Sequence, residues 1–196
     1  MKHFSTGSAR WGITLAAAVA AAALATPLAA SAATSAPSTA VIARCAAPAH
    51  GSLGPGLAVW VGADDGNAAA GTIYYPLEFT NVSGHTCSLY GFPGVSAIDP
   101  AWRQLGSPAG WEKQTPHTVI LGPGATAHAV LAYSNAVVGG APGCHPVNTA
   151  SELRVYPPDR RTAVHAFFDL PVCSHTGPVY MNVGPIQPGA MAIING

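Results

Sequence analysis

Residues 73–94 constrain this chain more than any other stretch. From Ile73 the side chains alternate strictly, with Ile73, Tyr75, Leu77 and Phe79 on one face and Tyr74, Pro76, Glu78 and Thr80 on the other. A period of two predicts a half-buried strand. Pro76 has no amide proton to donate, which places that strand at a sheet edge or beside a bulge. A polar Asn81/Ser83/Gly84 turn closes it, a second strand opens around Thr86 and Cys87, and Gly91, Pro93 and Gly94 end that one in turn. Such punctuation belongs to an antiparallel β protein.

The rest of the chain repeats the pattern. Short apolar or alternating segments at 57–61, 86–90, 95–98, 118–121, 125–133, 153–156, 163–168 and 179–183 bring the expected strands to about nine. Gly122-Pro123-Gly124 suits a type II turn, with proline second and glycine third, and predicts that the strands on either side are neighbours. The 22 glycines and 18 prolines interrupt helices, and no long helical period appears. Residues 102–116 are the least legible. The expected fold is all-β, an immunoglobulin-like, Greek-key antiparallel β-sandwich, as a single domain over residues 45–196. No internal repeat is present.

Before that domain, Lys2 and Arg10 precede an uncharged run with an apolar core over 13–28, followed by Ala30-Ser31-Ala32. This is the pattern of a signal peptide over 1–32, cleaved before Ala33. The alternative is a retained membrane anchor, for which the run is long enough but, being mostly alanine, weakly apolar. Residues 33–44, rich in Ser, Ala, Thr and Pro, read as a flexible tether. The expected location is therefore secreted or extracytoplasmic, with membrane contact only if the leader stays. Without the leader, 6 basic residues face 8 acidic ones, a formal charge of −2, and Lys113 is the one lysine left. That balance offers no footprint for nucleic acid or an anionic membrane.

All four cysteines, Cys45, Cys87, Cys144 and Cys173, lie after the leader, and none forms a C-x-x-C pair. An even number in an exported chain predicts two disulfides, with three connectivities open. Sequence neighbours favour Cys45 with Cys87 and Cys144 with Cys173, each bridge worth about 3 to 4 kcal/mol by loop closure.

The runs Leu77-Glu78-Phe79-Thr80-Asn81-Val82-Ser83, Thr86-Cys87-Ser88-Leu89-Tyr90-Gly91-Phe92-Pro93-Gly94-Val95 and Val119-Ile120-Leu121-Gly122-Pro123-Gly124, with Cys144 and Cys173, carry a resemblance. They resemble the secreted actinobacterial family known as domain of unknown function 4232. The likeness covers most of the chain from Cys45 onward. It implies an exported, often membrane-tethered β domain and brings no catalytic residues with it.

Chemistry is sparse. There is no Gly-x-Ser-x-Gly elbow, and paired thiols leave no cysteine nucleophile. Glu78, Asp99, Glu112, Glu152 and Asp169 are carboxylates whose separations the sequence does not set, so a hydrolase-like exported enzyme stays open as an alternative. Asp64 and Asp65 read as a solvated turn rather than a calcium loop, and Asn81-Val82-Ser83 as a polar turn rather than a glycosylation acceptor. If Cys144 and Cys173 pair, His145 and His175 become neighbours, which opens a metal carrier as a further alternative. Two imidazoles fall short of the three protein ligands of a catalytic zinc, and no metal or other cofactor is assigned. Tyr90, Trp102 and Trp111, set among glycines and prolines, are candidates for a partner surface. The reading is a non-catalytic binding or surface-organising module whose partner belongs to the envelope or the extracellular space.

Overall fold

The computed structural model describes residues 41–48, 56–63, 68, 70–147, 150 and 152–191. The expected leader, most of the tether and the Asp64/Asp65 turn lie outside them. Among the described residues run fourteen strands and one short helix. The first seven strands are β1 (Leu57–Val61), β2 (Thr72–Asn81), β3 (Cys87–Tyr90), β4 (Gly94–Ile98), β5 (Gln104–Leu105), β6 (Gly110–Trp111) and β7 (Thr118–Leu121). After β8 (Thr126–Ser134) comes the helix α1 (Asn135–Gly140). The remaining strands are β9 (Pro146–Val147), β10 (Glu152–Tyr156), β11 (Val164–Phe167), β12 (Val172–Cys173), β13 (Met181–Val183) and β14 (Gln187–Pro188). All nine expected strands are present. The five that sequence reading missed, β5, β6, β9, β12 and β14, have two residues each, too few to show a period.

Two sheets build the sandwich. The larger has the order β1-β2-β8-β13-β6, with β14 also paired to β8; the smaller has the order β11-β10-β4-β5. The ribbons β3–β7 and β9–β12 complete the strand pairing. Pairing is antiparallel except between β13 and β6. Leu77, Phe79 and Leu131 from the larger sheet meet Val95, Leu153 and Val155 from the smaller in one buried cluster. Alternation on β10 sends Leu153 and Val155 inward and Glu152, Arg154 and Tyr156 toward the outer face.

The structure corrects the reading of β2 in two ways. It is an interior strand, paired to β1 on one side and β8 on the other, not an edge. Pro76 is tolerated because its missing amide faces the end of β1. The β1 register stops at Val61 opposite Leu77, and the Gly62 amide still donates to the Pro76 carbonyl at 2.8 Å, so the ladder loses a single bond where it was ending. Nor is the strand half-buried in its middle, where Pro76, Leu77, Glu78 and Phe79 are all buried. Beyond β14, Gly189 adopts φ +80°, and the chain passes over the face of β2 and β8 that carries Glu78 and His128.

A third correction concerns the Gly-Pro-Gly turn. It forms as expected, with Gly124 at φ +76° and the Ala125 amide donating to the Gly122 carbonyl at 3.0 Å. The strands it joins are nevertheless not partners, because β7 pairs with β3 and β8 with β2, β13 and β14. The turn is a corner that carries the chain from ribbon to sheet, and Asn81 pins it. The Asn81 backbone exchanges hydrogen bonds with Gly124 and Ala125, while its side-chain amide donates to the carbonyls of His85 and Leu121 at 2.8 and 3.0 Å. Its Oδ1 accepts from the amide and the hydroxyl of Ser83. Asn81 is 0 % exposed, so the asparagine of the acceptor-like Asn-Val-Ser run serves as a buried latch in the folded chain.

Both disulfides follow the expected pairing, Cys45 with Cys87 and Cys144 with Cys173. The first ties residues 43–45 beside β3, where the Cys45 amide donates to the Ser88 carbonyl and the Ser88 amide to the Ala43 carbonyl. The second flanks the β9–β12 ribbon, in which Cys173 lies opposite Pro146.

Candidate functional site

One concave region gathers four aromatic rings, two of them exposed. β3 ends at Tyr90, and the Gly91-Phe92-Pro93-Gly94 corner then carries the chain into the smaller sheet. β6, held by its pairing to β13, presents Trp111 beside this corner. The Phe92 and Trp111 rings stack with centroids 5.5 Å apart at 18°, and the Trp111 Nε1–H donates to the Pro93 carbonyl at 3.3 Å. Tyr156 ends β10 opposite Gly94 and brings a fourth ring. With Pro116, Asp159 and Arg160 among its walls, the groove encloses about 490 Å³. Trp111 is 65 % exposed and Tyr90 43 %, so apolar ring surface faces water at the mouth.

The rim is charged and tied to the first disulfide. The Arg44 guanidinium lies 6.0 Å from the Tyr90 ring centroid and pairs with Asp159 at 2.6 Å. Arg160 donates from Nε to the Cys45 carbonyl at 2.8 Å and from Nη2 to the Arg44 carbonyl at 2.6 Å. The Cys45–Cys87 bridge thus holds the strip of chain on which both arginines converge. Two cations against one carboxylate leave the rim with a formal excess of one positive charge.

Of the three aromatic residues singled out in the sequence, the structure brings Tyr90 and Trp111 into this groove and places Trp102 elsewhere. Trp102 is 60 % exposed and lies edge-on to His165, centroids 4.5 Å apart, on the outer face of the smaller sheet. Its carbonyl accepts from Arg154. The turn that carries it is caged by Asp99, which accepts from the amides of Ala101 and Arg103 and from the Arg103 guanidinium. Against the cost of desolvation, the Arg103 amide first and then its guanidinium hold the Asp99 carboxyl below the usual carboxylate range. Sequence reading missed Phe92, Tyr156 and Arg160. Tyr156 carried a signal, since alternation in β10 turns it to the outer face.

The other candidate chemistries are dispersed. His145 and His175 do converge across the second bridge, ring centroids 6.3 Å apart, and His175 Nδ1 shares a hydrogen bond with the Ser174 hydroxyl. Among the described residues no three His, Cys, Asp or Glu side chains cluster for a metal. Asp99 is committed to its turn and Glu152 to His165. Neither the groove nor a second cavity of about 210 Å³ beside Phe167 is lined by two carboxylates.

Glu78 is the unusual acid. It is 4 % exposed, accepts the Met191 amide at 2.9 Å through Oε1, and Oε2 finds no partner among the described residues. Burial pushes its carboxyl above the ordinary glutamate value of 4.5, against the opposing pull of the Met191 amide and His128. A raised value in the folded state means the Glu78 contribution to stability is complete below that ordinary value and is lost as pH rises through the raised one. Glu78→Gln keeps the acceptor for Met191 and removes the ionisation. Its stability relative to the unsubstituted protein should therefore climb as pH rises above the ordinary glutamate value. Denaturant titrations from acid to neutral pH check this, and two parallel pH profiles would contradict it.

The described residues contain no helix long and apolar enough to cross a membrane. Comparison with curated proteins and with solved structures yields no match. A family whose description is "Domain of unknown function (DUF4232)" matches residues 53–190, which take in the aromatic groove and all but the first of the cysteines. By that match the chain is a member of the DUF4232 family.

Proposed function

We propose that this chain is an exported, non-catalytic binding module that receives its ligand in the Tyr90/Phe92/Trp111/Tyr156 groove. The observation that carries the reading is the Phe92–Trp111 stack, anchored by the Trp111–Pro93 hydrogen bond and left open to water. Aromatic surface held rigid in the unliganded protein loses little side-chain entropy on binding, which suits recognition. Export is supported by the leader pattern ending at Ala32 and by two disulfides, which form and persist in oxidising compartments. The partner then lies in the envelope or outside the cell.

Trp111→Ala tests the site. It removes the open ring while leaving the buried cluster intact, so the melting transition should move little. Retention of envelope components by the immobilised protein should fall by at least about tenfold, the loss expected of a central aromatic contact. Unchanged retention of the same components by the variant would exclude the groove. Intact mass of the exported product, beginning at or near Ala33, checks the leader in the same preparation, and a product retaining Met1 would reject its cleavage.

A further inference from the structure

We propose that the occupant of this groove is an extended, proline-rich peptide segment carrying an acidic residue. The inference rests on the binding-site reading above and narrows it to one ligand chemistry. Its basis is which hydrogen-bonding groups the groove has spent and which it still offers.

The corner's carbonyl acceptors and one oxygen of Asp159 are spent, which leaves Asp159 Oδ1 and the lone pairs of two tyrosine hydroxyls. The Asp159 carboxylate is paired with Arg44 at 2.6 Å. The Pro93 carbonyl accepts from Trp111, and the Gly91 carbonyl accepts the Ile186 amide at 3.0 Å. The indole N–H of Trp111 is likewise used, so this ring offers a ligand only its apolar surface. Donors remain: the hydroxyls of Tyr90 and Tyr156 and the Nη1 group of Arg160 hold no hydrogen bond among the described residues. The groove is a set of aromatic faces with donors at its edge and a formal excess of one positive charge.

A ligand that fits must bring apolar surface and acceptors, few donors, and a negative charge. Polyproline II segments meet the first requirements, because each proline presents a ring and a carbonyl and has no N–H. Such segments are also extended before they bind, and aromatic grooves that recognise them exploit this small entropy loss. A saccharide is the competing class, since its C–H faces also stack on aromatic rings. Its hydroxyls, however, are donors as much as acceptors, and they would compete for the two tyrosine hydroxyls and Asp159 Oδ1; each donor buried beyond those costs about 1 to 3 kcal/mol. An acidic side chain beside the prolines would meet the guanidiniums of Arg44 and Arg160, which phosphate or carboxylate geometry suits.

The test titrates the oxidised, isotope-labelled protein with a blocked nonapeptide of proline holding one central glutamate. Controls are the same peptide with lysine for glutamate, a glycine–serine peptide of equal length, and a soluble β-linked glucan oligomer. The proline–glutamate peptide should shift the Trp111 indole resonance and the Gly91 and Gly94 amides saturably, leaving the Trp60 and Trp102 indoles in place. Its affinity should exceed that of the glycine–serine peptide by at least about tenfold, and that of the lysine peptide several-fold, with the second margin shrinking at high salt. Trp111→Ala should lose the binding while the amide spectrum of the buried strands stays unchanged. If the glucan moves the groove resonances and the peptides do not, the ligand class is wrong and the binding-site reading stands. If the peptide binds with shifts elsewhere, or binds Trp111→Ala equally well, the groove is wrong. Absence of any shift at millimolar peptide overturns the proposal.

Discussion

Replacing Cys45 and Cys87 together by alanine is expected to lower the unfolding free energy by about 2 to 5 kcal/mol, a large share of what a domain of this size possesses. The bridge closes a span of 42 positions, against 29 for Cys144–Cys173. In the chain-entropy account the two spans differ by only about 0.3 kcal/mol, so loop length does not separate the bridges. Their surroundings do. Cys45 is held beside β3 through Ser88 and supplies the carbonyl that accepts from Arg160, while its neighbour Arg44 supplies a second carbonyl and the ion pair to Asp159. Freeing Cys45 therefore releases the charged rim of the groove. The Cys45/Cys87 double variant should lose both stability and ligand affinity, whereas a Cys144/Cys173 double variant should lose similar stability and keep the affinity of its folded fraction. Denaturant titration followed by ligand titration under folding conditions distinguishes the two. Equal retention of affinity in both variants would show that the bridge does not support the rim.

Asn81→Ala is expected to cost about 2 to 4 kcal/mol, far more than an ordinary turn residue. The asparagine is fully buried, and truncation leaves the Leu121 carbonyl without its donor inside the corner and takes one partner each from the His85 carbonyl and the Ser83 amide nearer the surface. At the buried Leu121 carbonyl, water cannot replace it without opening the junction between β2, β7 and β8. Ser83→Ala removes only the hydroxyl on the exposed side of the same network and should cost about 1 kcal/mol or less. Asn81→Asp keeps the acceptor for Ser83, loses both donors and buries a charge, so it should not rescue the loss. Urea midpoints for the three variants check the order; an Asn81→Ala midpoint indistinguishable from that of Ser83→Ala would show that the latch is dispensable.

Much of the scaffold was legible because the physics that makes a strand is local. Alternation along residues 73–80 requires only that successive side chains point to opposite sides, and proline and glycine end strands through their own backbone chemistry. The same locality explains the misreading of Pro76. The missing donor is a property of the residue, but its cost depends on whether a partner faces it, and only the register of β1 shows that the partner stops there. The two-residue strands were invisible for a related reason, since β6 and β14 are strands by virtue of β13 and β8 rather than of their own sequence.

For the site, the sequence marked Tyr90 and Trp111 as candidates but grouped them with Trp102, because all three lie among turn residues. Their separation is a tertiary fact. Trp111 reaches the Phe92 corner through the pairing of β6 with β13, and Trp102 is held over His165 by the turn that Asp99 cages. Arg160 had no local signal, since its role comes from carbonyls more than a hundred positions away. By itself, then, the sequence determined the all-β class and nine strands and favoured the disulfide pairing that the structure fixes, each following from residue chemistry or short separation along the chain. The tertiary structure decided which strands pair, why a proline can sit inside a sheet, and which aromatic rings share a groove. These depend on which groups from distant parts of the chain use up one another's hydrogen bonds, and that is settled only when the chain is closed upon itself.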